Sequence, residues 1–375
     1  MTSHHGALSA EVIAELDRPV GQRFAAVPWV EAVSIDALRH FAAAIGSDDP
    51  RVWAPDAGAS APHAAPPTFL NVFTNGAMVD DRPRPPETSL DGVFSVWRGD
   101  DWTFRRGLEL GETVTAYLET QHVIRVERDG RLIAVDQPVL ATFVGPDGEA
   151  IAHRRRIARR YAASLFPGLN TQSRGRYIYT EDELSRIEQA YDRELARAGV
   201  RPQALHVAVG AQLPEIVKGP LTVTGMAGWV MGTGNRLCAT NRLSHLFMKT
   251  TPVDRIRNTR TGTPDTTAGP HWEAELAAQR GLPDLFDFGG MRIDWMAQVV
   301  TEWCGDAAMI TALSARLTRP NMLGDTTWAG GAVAAWDPLT RVVTVDITAT
   351  NQIGQVTSVG EARVTLGPDV TVIET

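Results

Sequence analysis

The chain has 375 residues, 43% of them hydrophobic, enough for a large core and for roughly two to three domains of the usual ~100–200 residues each. Lys and Arg number 36 against 44 Asp and Glu, and the formal net charge of −8 disfavours a nucleic-acid backbone as partner. Cys238 and Cys304 lack the spacing of a disulfide framework or a zinc site, the N-terminus lacks an apolar signal core, and no apolar run reaches membrane-spanning length. A soluble, cytoplasmic, metal-free protein is expected.

In chain order, Ser34 suits the N-cap of a helix over Ile35–Ile45, where Leu38, Phe41 and Ala42 recur at helical spacing and Gly46 ends the run. Pro66-Pro67-Thr68-Phe69-Leu70-Asn71-Val72-Phe73 opens with prolines fit for a first helical turn and continues almost wholly apolar, as a core helix does. From Trp97 the period changes. Thr113–Thr120, His122–Glu127, Arg131–Val144 and Ala150–Ala158 are rich in β-branched residues and broken by Gly or Asp-Gly turns, which predicts an antiparallel meander. Thr180 caps a connecting helix over Glu181–Ala198, with Glu183 at the capping-box position.

The order of elements then repeats. Val207-Ala208-Val209-Gly210 and Lys218–Thr224 lead into a short apolar helix ending near Gly232-Thr233-Gly234. The polar insertion 237–269 is too long for a bare loop and suits a lid, a partner surface or a substrate-selecting wall. Gly289-Gly290-Met291-Arg292-Ile293-Asp294-Trp295-Met296 starts a second apolar helix, followed by strands at Thr326–Trp336, Arg341–Asn351 and Val356–Leu366. Two related halves are expected, 1–165 and 206–375, joined by a connecting segment over 166–205. In each, a helix too apolar for exposure must be wrapped by the sheet that follows, an α+β solution of the hotdog type and, for the whole chain, a double hotdog.

Several segments carry a family resemblance. Phe41-Ala42-Ala43-Ala44-Ile45-Gly46-Ser47-Asp48-Asp49-Pro50 followed by Ala65-Pro66-Pro67-Thr68-Phe69 resembles the Gly-Asp-x-Asn-Pro turn and Pro-Pro-Thr helix start of MaoC-like, fatty-acid-synthase-type dehydratases. Trp102-Thr103-Phe104-Arg105-Arg106 with Gly111-Glu112-Thr113-Val114 resembles their strand entry, which Gly324-Asp325-Thr326-Thr327-Trp328 repeats. Asn351-Gln352-Ile353-Gly354 with Gly360-Glu361-Ala362 resembles the final hairpin, so the likeness spans about Ser34 to Leu366. It implies hydration or dehydration at the α and β carbons of an acyl thioester, without a cofactor.

By the same resemblance, the turn before the helix carries an Asp and, five residues later, a His. The first half has Ser47 and Val52 there, neither of which transfers protons near neutral pH, so this half is expected to be structural or to shape the acyl pocket. In the second half, Gly269-Pro270-His271-Trp272-Glu273-Ala274-Glu275-Leu276-Ala277 resembles the family's Pro-x-His-x-Asp-x-x-x-Ala segment and makes His271 the candidate acid/base. Asp265, six residues earlier, is its candidate partner, Glu273 the reserve carboxylate, and Asn235 an alternative occupant of the Asp position.

Hydration of an enoyl thioester needs a group that activates water, a proton for Cα, and donors at the thioester oxygen. His271 with Asp265 suits the first two roles; the free amides of a helix opening at Gly289, Gly290 and Met291 suit the third. Asn235, Trp295, Pro67 and Thr68 are the expected pocket residues, although Trp295, Trp303 and Trp328 read first as core. The run His153–Arg160 reads first as a solvated face and second as a site for coenzyme A phosphates. Gly232-Thr233-Gly234 lacks the frame of a dinucleotide loop, so no nucleotide cofactor is expected. The expectation is a hydro-lyase whose thioester arrives on coenzyme A or a carrier protein, with a second copy of the chain as a further partner; the alternatives are a hotdog thioesterase and a non-catalytic thioester-binding subunit.

Overall fold

A computed structural model describes residues 8–53, 65–74, 93–162, 175–194, 204–234, 242–250 and 255–374. Besides short 3₁₀ turns, the first half contains α1 (Ala10–Asp17), β1 (Arg23–Ala25), α2 (Ile35–Ile45), the one-turn α3 (Pro50–Trp53), β2 (Val93–Phe104), β3 (Thr115–Thr120), β4 (Ile124–Arg128), β5 (Arg131–Val144) and β6 (Ala150–Ala162). Then come α4 (Glu181–Arg193), β7 (Ala204–His206), β8 (Ile216–Lys218), α5 (Val223–Gly232), α6 (Arg242–Thr250), β9 (Arg255–Arg257), β10 (Pro264–Thr266) and α7 (Ala274–Gln279). The chain closes with α8 (Gly289–Cys304), β11 (Ala308–Leu317), β12 (Thr327–Asp337), β13 (Val342–Asn351), β14 (Val356–Leu366) and β15 (Thr371–Ile373).

Eleven strands make one antiparallel sheet. From one edge inward the order is β1-β3-β5-β6-β2, with β4 beside β5; from the other edge it is β8-β12-β13-β14-β11, and β2 pairs with β11 where the two runs meet. The same order from either edge is the structural form of the repeat in the sequence. Across the seam Trp102 faces Leu313 and Asp100 faces Ala315.

Local signals set the helices. Ser34 Oγ accepts from the Ala37 amide at 3.1 Å, and Gly46 takes the left-handed conformation (φ 67°) that ends α2. Thr180 and Glu183 close the expected capping box of α4. The helix α8 is buried along its whole length except at Gly289 and Thr301. Side chains such as Ile293, Met296, Val299 and Val300 each contribute roughly 1.5–3 kcal/mol by leaving water. Close contact of α5 with α2 depends on Gly232, where a Cβ would stand 2.3 Å from the His40 carbonyl.

One expectation is corrected and two elements are added. The segment opening at Pro66-Pro67 is a 3₁₀ helix over Pro67–Phe73, in which Asn71 turns its carboxamide to the buried Arg154 guanidinium. The strand β11 was not anticipated, because Ile310 and Thr311 are its β-branched residues amid Ala, Leu, Met, Ser and Arg, and pairing with β2 and β14 decides its state. The part of the insertion within the described residues holds α6 and the β9–β10 hairpin.

Candidate functional site

The second-half candidates gather at the tip of α8, but not as the expected pair. His271 ends a short 3₁₀ turn, with Nδ1 2.8 Å from the Phe286 carbonyl, so the neutral ring donates from Nδ1 and keeps Nε2 as an acceptor. Its ring lies against Phe288 (centroids 3.8 Å apart) and Phe286 (4.2 Å). Burial pushes the imidazole down to about 4, helped by Arg280 and opposed by the Phe286 carbonyl, so it is uncharged at neutral pH. Asp265 has another partner: the β9–β10 hairpin holds its carboxylate 3.1 Å from Trp272 Nε1, and no described hydrogen bond joins it to His271. Glu273 stands at the start of α7 beside Glu275, which pushes its pKa up, and accepts from Asn258 at 3.4 Å. Asn235 lies outside the described residues.

The helix tip is crowded. The Met291 amide already donates to the Phe288 carbonyl at 3.0 Å. A Cβ at Gly290 would stand 2.6 Å from Trp229 and 2.8 Å from Trp97, and one at Gly289 would stand 2.3 Å from Leu317, so these glycines let indoles pack directly on the helix end. Behind the tip, buried Asp287 and Arg292 pair at 2.7 Å, and Asn321 donates to Asp287 at 2.9 Å.

The described cavity with room for an apolar ligand lies farther along α8, on its first-half side. Its volume is about 240 Å³. The walls are the turn with Ser47, Asp49 and Arg51, the Ala65-Pro66-Pro67 segment with Leu70, Phe104 and Leu108, and Asp294, Ala297, Gln298, Thr301 and Cys304 of α8, with Met309 and Ile310 of β11. Of the expected pocket residues, Pro67 lines it, Thr68 lies next along the chain, and Trp295 is a buried core side chain outside its walls. Arg51 bridges Asp49 (2.6 Å) in the first half and Asp306 in the second. Burial pushes the Cys304 thiol up to about 12, which leaves it un-ionised and a poor nucleophile.

One wall residue was not singled out by sequence reasoning. Asp294 is buried, its Oδ2 accepts from Trp229 Nε1 at 2.7 Å, and its Oδ1 has no hydrogen-bond partner. Burial pushes this carboxyl up to about 7; Trp229 and the nearby Thr68 hydroxyl pull it down, Asp100 pushes it up, and Arg154 pulls it down. Asp294 shares its helix sequence with Arg292, Gln298 and Glu302, so only its burial and its partners set it apart.

Residues 18–154 match the family model of the FAS1-like dehydratase domain region. No curated protein is similar enough in sequence to match. Among solved structures, a MaoC-like dehydratase matches with a TM-score of 0.64 at 20% identity, over 94% of this chain and 100% of that one. The MaoC-like dehydratase of Phytophthora capsici gives 0.53 at 15% identity over 95% and 99% of the two chains. A Mycobacterium tuberculosis protein described as having a double hotdog fold gives 0.54 at 12% identity over 94% and 97%. The fold is thus a double hotdog, and residues 18–154 of its first half are similar to the FAS1-like dehydratase domain region.

Proposed function

We propose that the protein adds water to, or removes it from, the acyl chain of an α,β-unsaturated or 3-hydroxyacyl thioester carried by coenzyme A or a carrier protein. The observation that supports this reading is the cavity of about 240 Å³ walled by Leu70, Phe104, Ala297 and Ile310, with ionic groups at the Arg51 end. An apolar chain gains roughly 0.8 kcal/mol per methylene buried in such a space, while a thioester head and its polar carrier belong at the ionic end. In this reading the role of His271 is limited by its protonation state. A ring that is neutral down to about pH 4 accepts a hydrogen bond at Nε2 and orients a polar group well, but its one proton, on Nδ1, is held by the Phe286 carbonyl and Nε2 has none to donate at neutral pH.

The test is product analysis with 2-enoyl-coenzyme A thioesters of graded chain length. Loss of the conjugated enoyl absorbance with the thiol retained is the expected result. Release of free thiol would make the protein a thioesterase, and tight binding without either change would make it a non-catalytic subunit.

A further inference from the structure

The cavity contains more than room. Of its wall carboxyls, Asp49 is held by Arg51 in an ion pair, and Asp306 is tied to the same guanidinium. The Cys304 thiol is un-ionised, and His271 stands outside, separated from the wall by the stacked rings of Phe288 and Trp229. Asp294 differs from all of these. It lies one helical turn in from Gly290, within the wall, with Oδ2 fixed by Trp229, the buried Thr68 hydroxyl beside the carboxyl, and Oδ1 making no hydrogen bond. Buried polar atoms are nearly always hydrogen-bonded, so an orphan oxygen on a buried carboxyl calls for an explanation. A structural acceptor for the Trp229 indole needs one oxygen only, and asparagine supplies one without the cost of burying an acid.

We infer that Asp294 is a catalytic residue of this cavity, the group that takes a proton from water and returns it to the acyl chain. The inference rests on the acyl-thioester reading above. In the hydration direction the carboxylate removes a proton from water as the water oxygen bonds to Cβ. The π pair of the Cα–Cβ double bond moves to Cα and is delocalised into the thioester carbonyl; the carboxylic acid then delivers the same proton to Cα. One water is consumed, one C–O and one C–H bond form, and Asp294 ends as it began. Dehydration is the reverse.

The surroundings suit a group that must exist in both protonation states. Facing Asp294 are Trp229 from α5, Thr68 from the 3₁₀ turn, Asp100 from β2 and Arg154 from β6. Asp100 is itself held by Trp97 Nε1 at 2.7 Å, and Arg154 by the Asn71 carboxamide. Their opposed charges leave burial as the main influence, and a general acid/base works best when its pKa lies near the working pH.

The experiment compares the wild type with Asp294→Asn and Trp229→Phe on the same enoyl-coenzyme A series, alongside binding of the saturated acyl-coenzyme A of each length. Asp294→Asn is expected to lower kcat by about 10²–10⁴-fold with saturated acyl-coenzyme A binding unchanged, and to remove the limb of the pH–rate profile near 7. Trp229→Phe removes a hydrogen bond that favours the ionised form and is expected to move that limb to higher pH while leaving Asp294 in place. An active wild type whose kcat and limb survive both substitutions overturns the assignment of Asp294 alone. A wild type that neither hydrates the enoyl series nor binds the saturated one overturns the acyl-thioester reading, and the assignment with it.

Discussion

The first-half turn and the second-half turn occupy equivalent places around the seam of the sheet, yet they hold opposite assets. Ser47–Arg51 has no histidine, and its Asp49 carboxylate is tied up by Arg51, but it borders open space. The second-half turn keeps an imidazole, but Phe286, Phe288, Trp229 and Trp97 crowd the helix tip beside it. Room for a substrate and a titratable loop residue have parted company. Side chains of α8 are what the two regions share, because that helix runs from the crowded tip to the cavity wall.

The largest expected effect that separates the regions is a stability cost at Asp294. Its folded pKa of about 7 lies above the ordinary 3.8, so the folded state holds a proton that the unfolded state releases between those values. The resulting stabilisation is fully present below pH ~4 and is lost as pH rises through 7, a change of about 4 kcal/mol. Asp294→Asn removes the titration, so its unfolding free energy relative to wild type should rise by up to that amount between pH 4 and 8 in urea melts. A difference that stays flat across this range would mean the carboxyl is ionised throughout and relieved by partners.

Next comes the ionic end of the cavity. Arg51→Ala leaves the buried Asp49 carboxylate without its guanidinium and cuts the link to Asp306, which should destabilise the protein by about 3 kcal/mol. Denaturant melts at pH 7 check this. A loss below ~1 kcal/mol would show that water reaches Asp49 and that the turn is open rather than tied.

At the crowded tip the sign of the pH effect reverses. The His271 imidazole is depressed to about 4 from 6.5, so the stability it contributes is present above pH 6.5 and is lost as pH falls towards 4, about 2 kcal/mol of it by pH 5. His271→Gln keeps a donor for the Phe286 carbonyl and should remove that acid-side loss. The same variant should lower turnover by about tenfold or less, since an imidazole with a pKa near 4 is a weak base at neutral pH and its Nε2 mainly orients. A loss of ~10²-fold or more would return the reaction centre to this tip.

How far the sequence reached follows the same division. Capping residues are local, so Ser34, Gly46, Thr180 and Glu183 announced their helix ends, and alternation with turn residues announced β5, β13 and β14 nearly to the residue. The strand β11 was weakly marked, because its Ala, Leu, Met and Arg outnumber Ile310 and Thr311 and its neighbours in the sheet specify it. The site was harder for a related reason. A motif names the residue types at a turn, but whether Asp265 reaches His271 or Trp272 depends on how a hairpin 6 residues away is aimed. Nothing local marked Asp294, which shares its helix with Arg292, Gln298 and Glu302; its role is set by what packs around it: an indole, a hydroxyl and a space between the halves.

The smallest effect is the most direct test of which region measures the acyl chain. Ala297 is buried on the α8 wall of the cavity, and Ala297→Val adds two methyl groups into that space without adding a polar atom. One methylene too many in a closed apolar pocket costs about 1–3 kcal/mol, so kcat/KM for the longest accepted thioester should fall roughly tenfold while the shortest is spared. Phe286→Leu, beside His271 and away from the cavity, should leave the ranking of chain lengths unchanged. If Ala297→Val lowers every substrate equally and Phe286→Leu instead shifts the length preference, the acyl chain lies at the second-half tip and the cavity beside Asp294 is only a packing gap. If the ranking follows Ala297, the space between α8 and the Ser47–Arg51 turn measures the substrate.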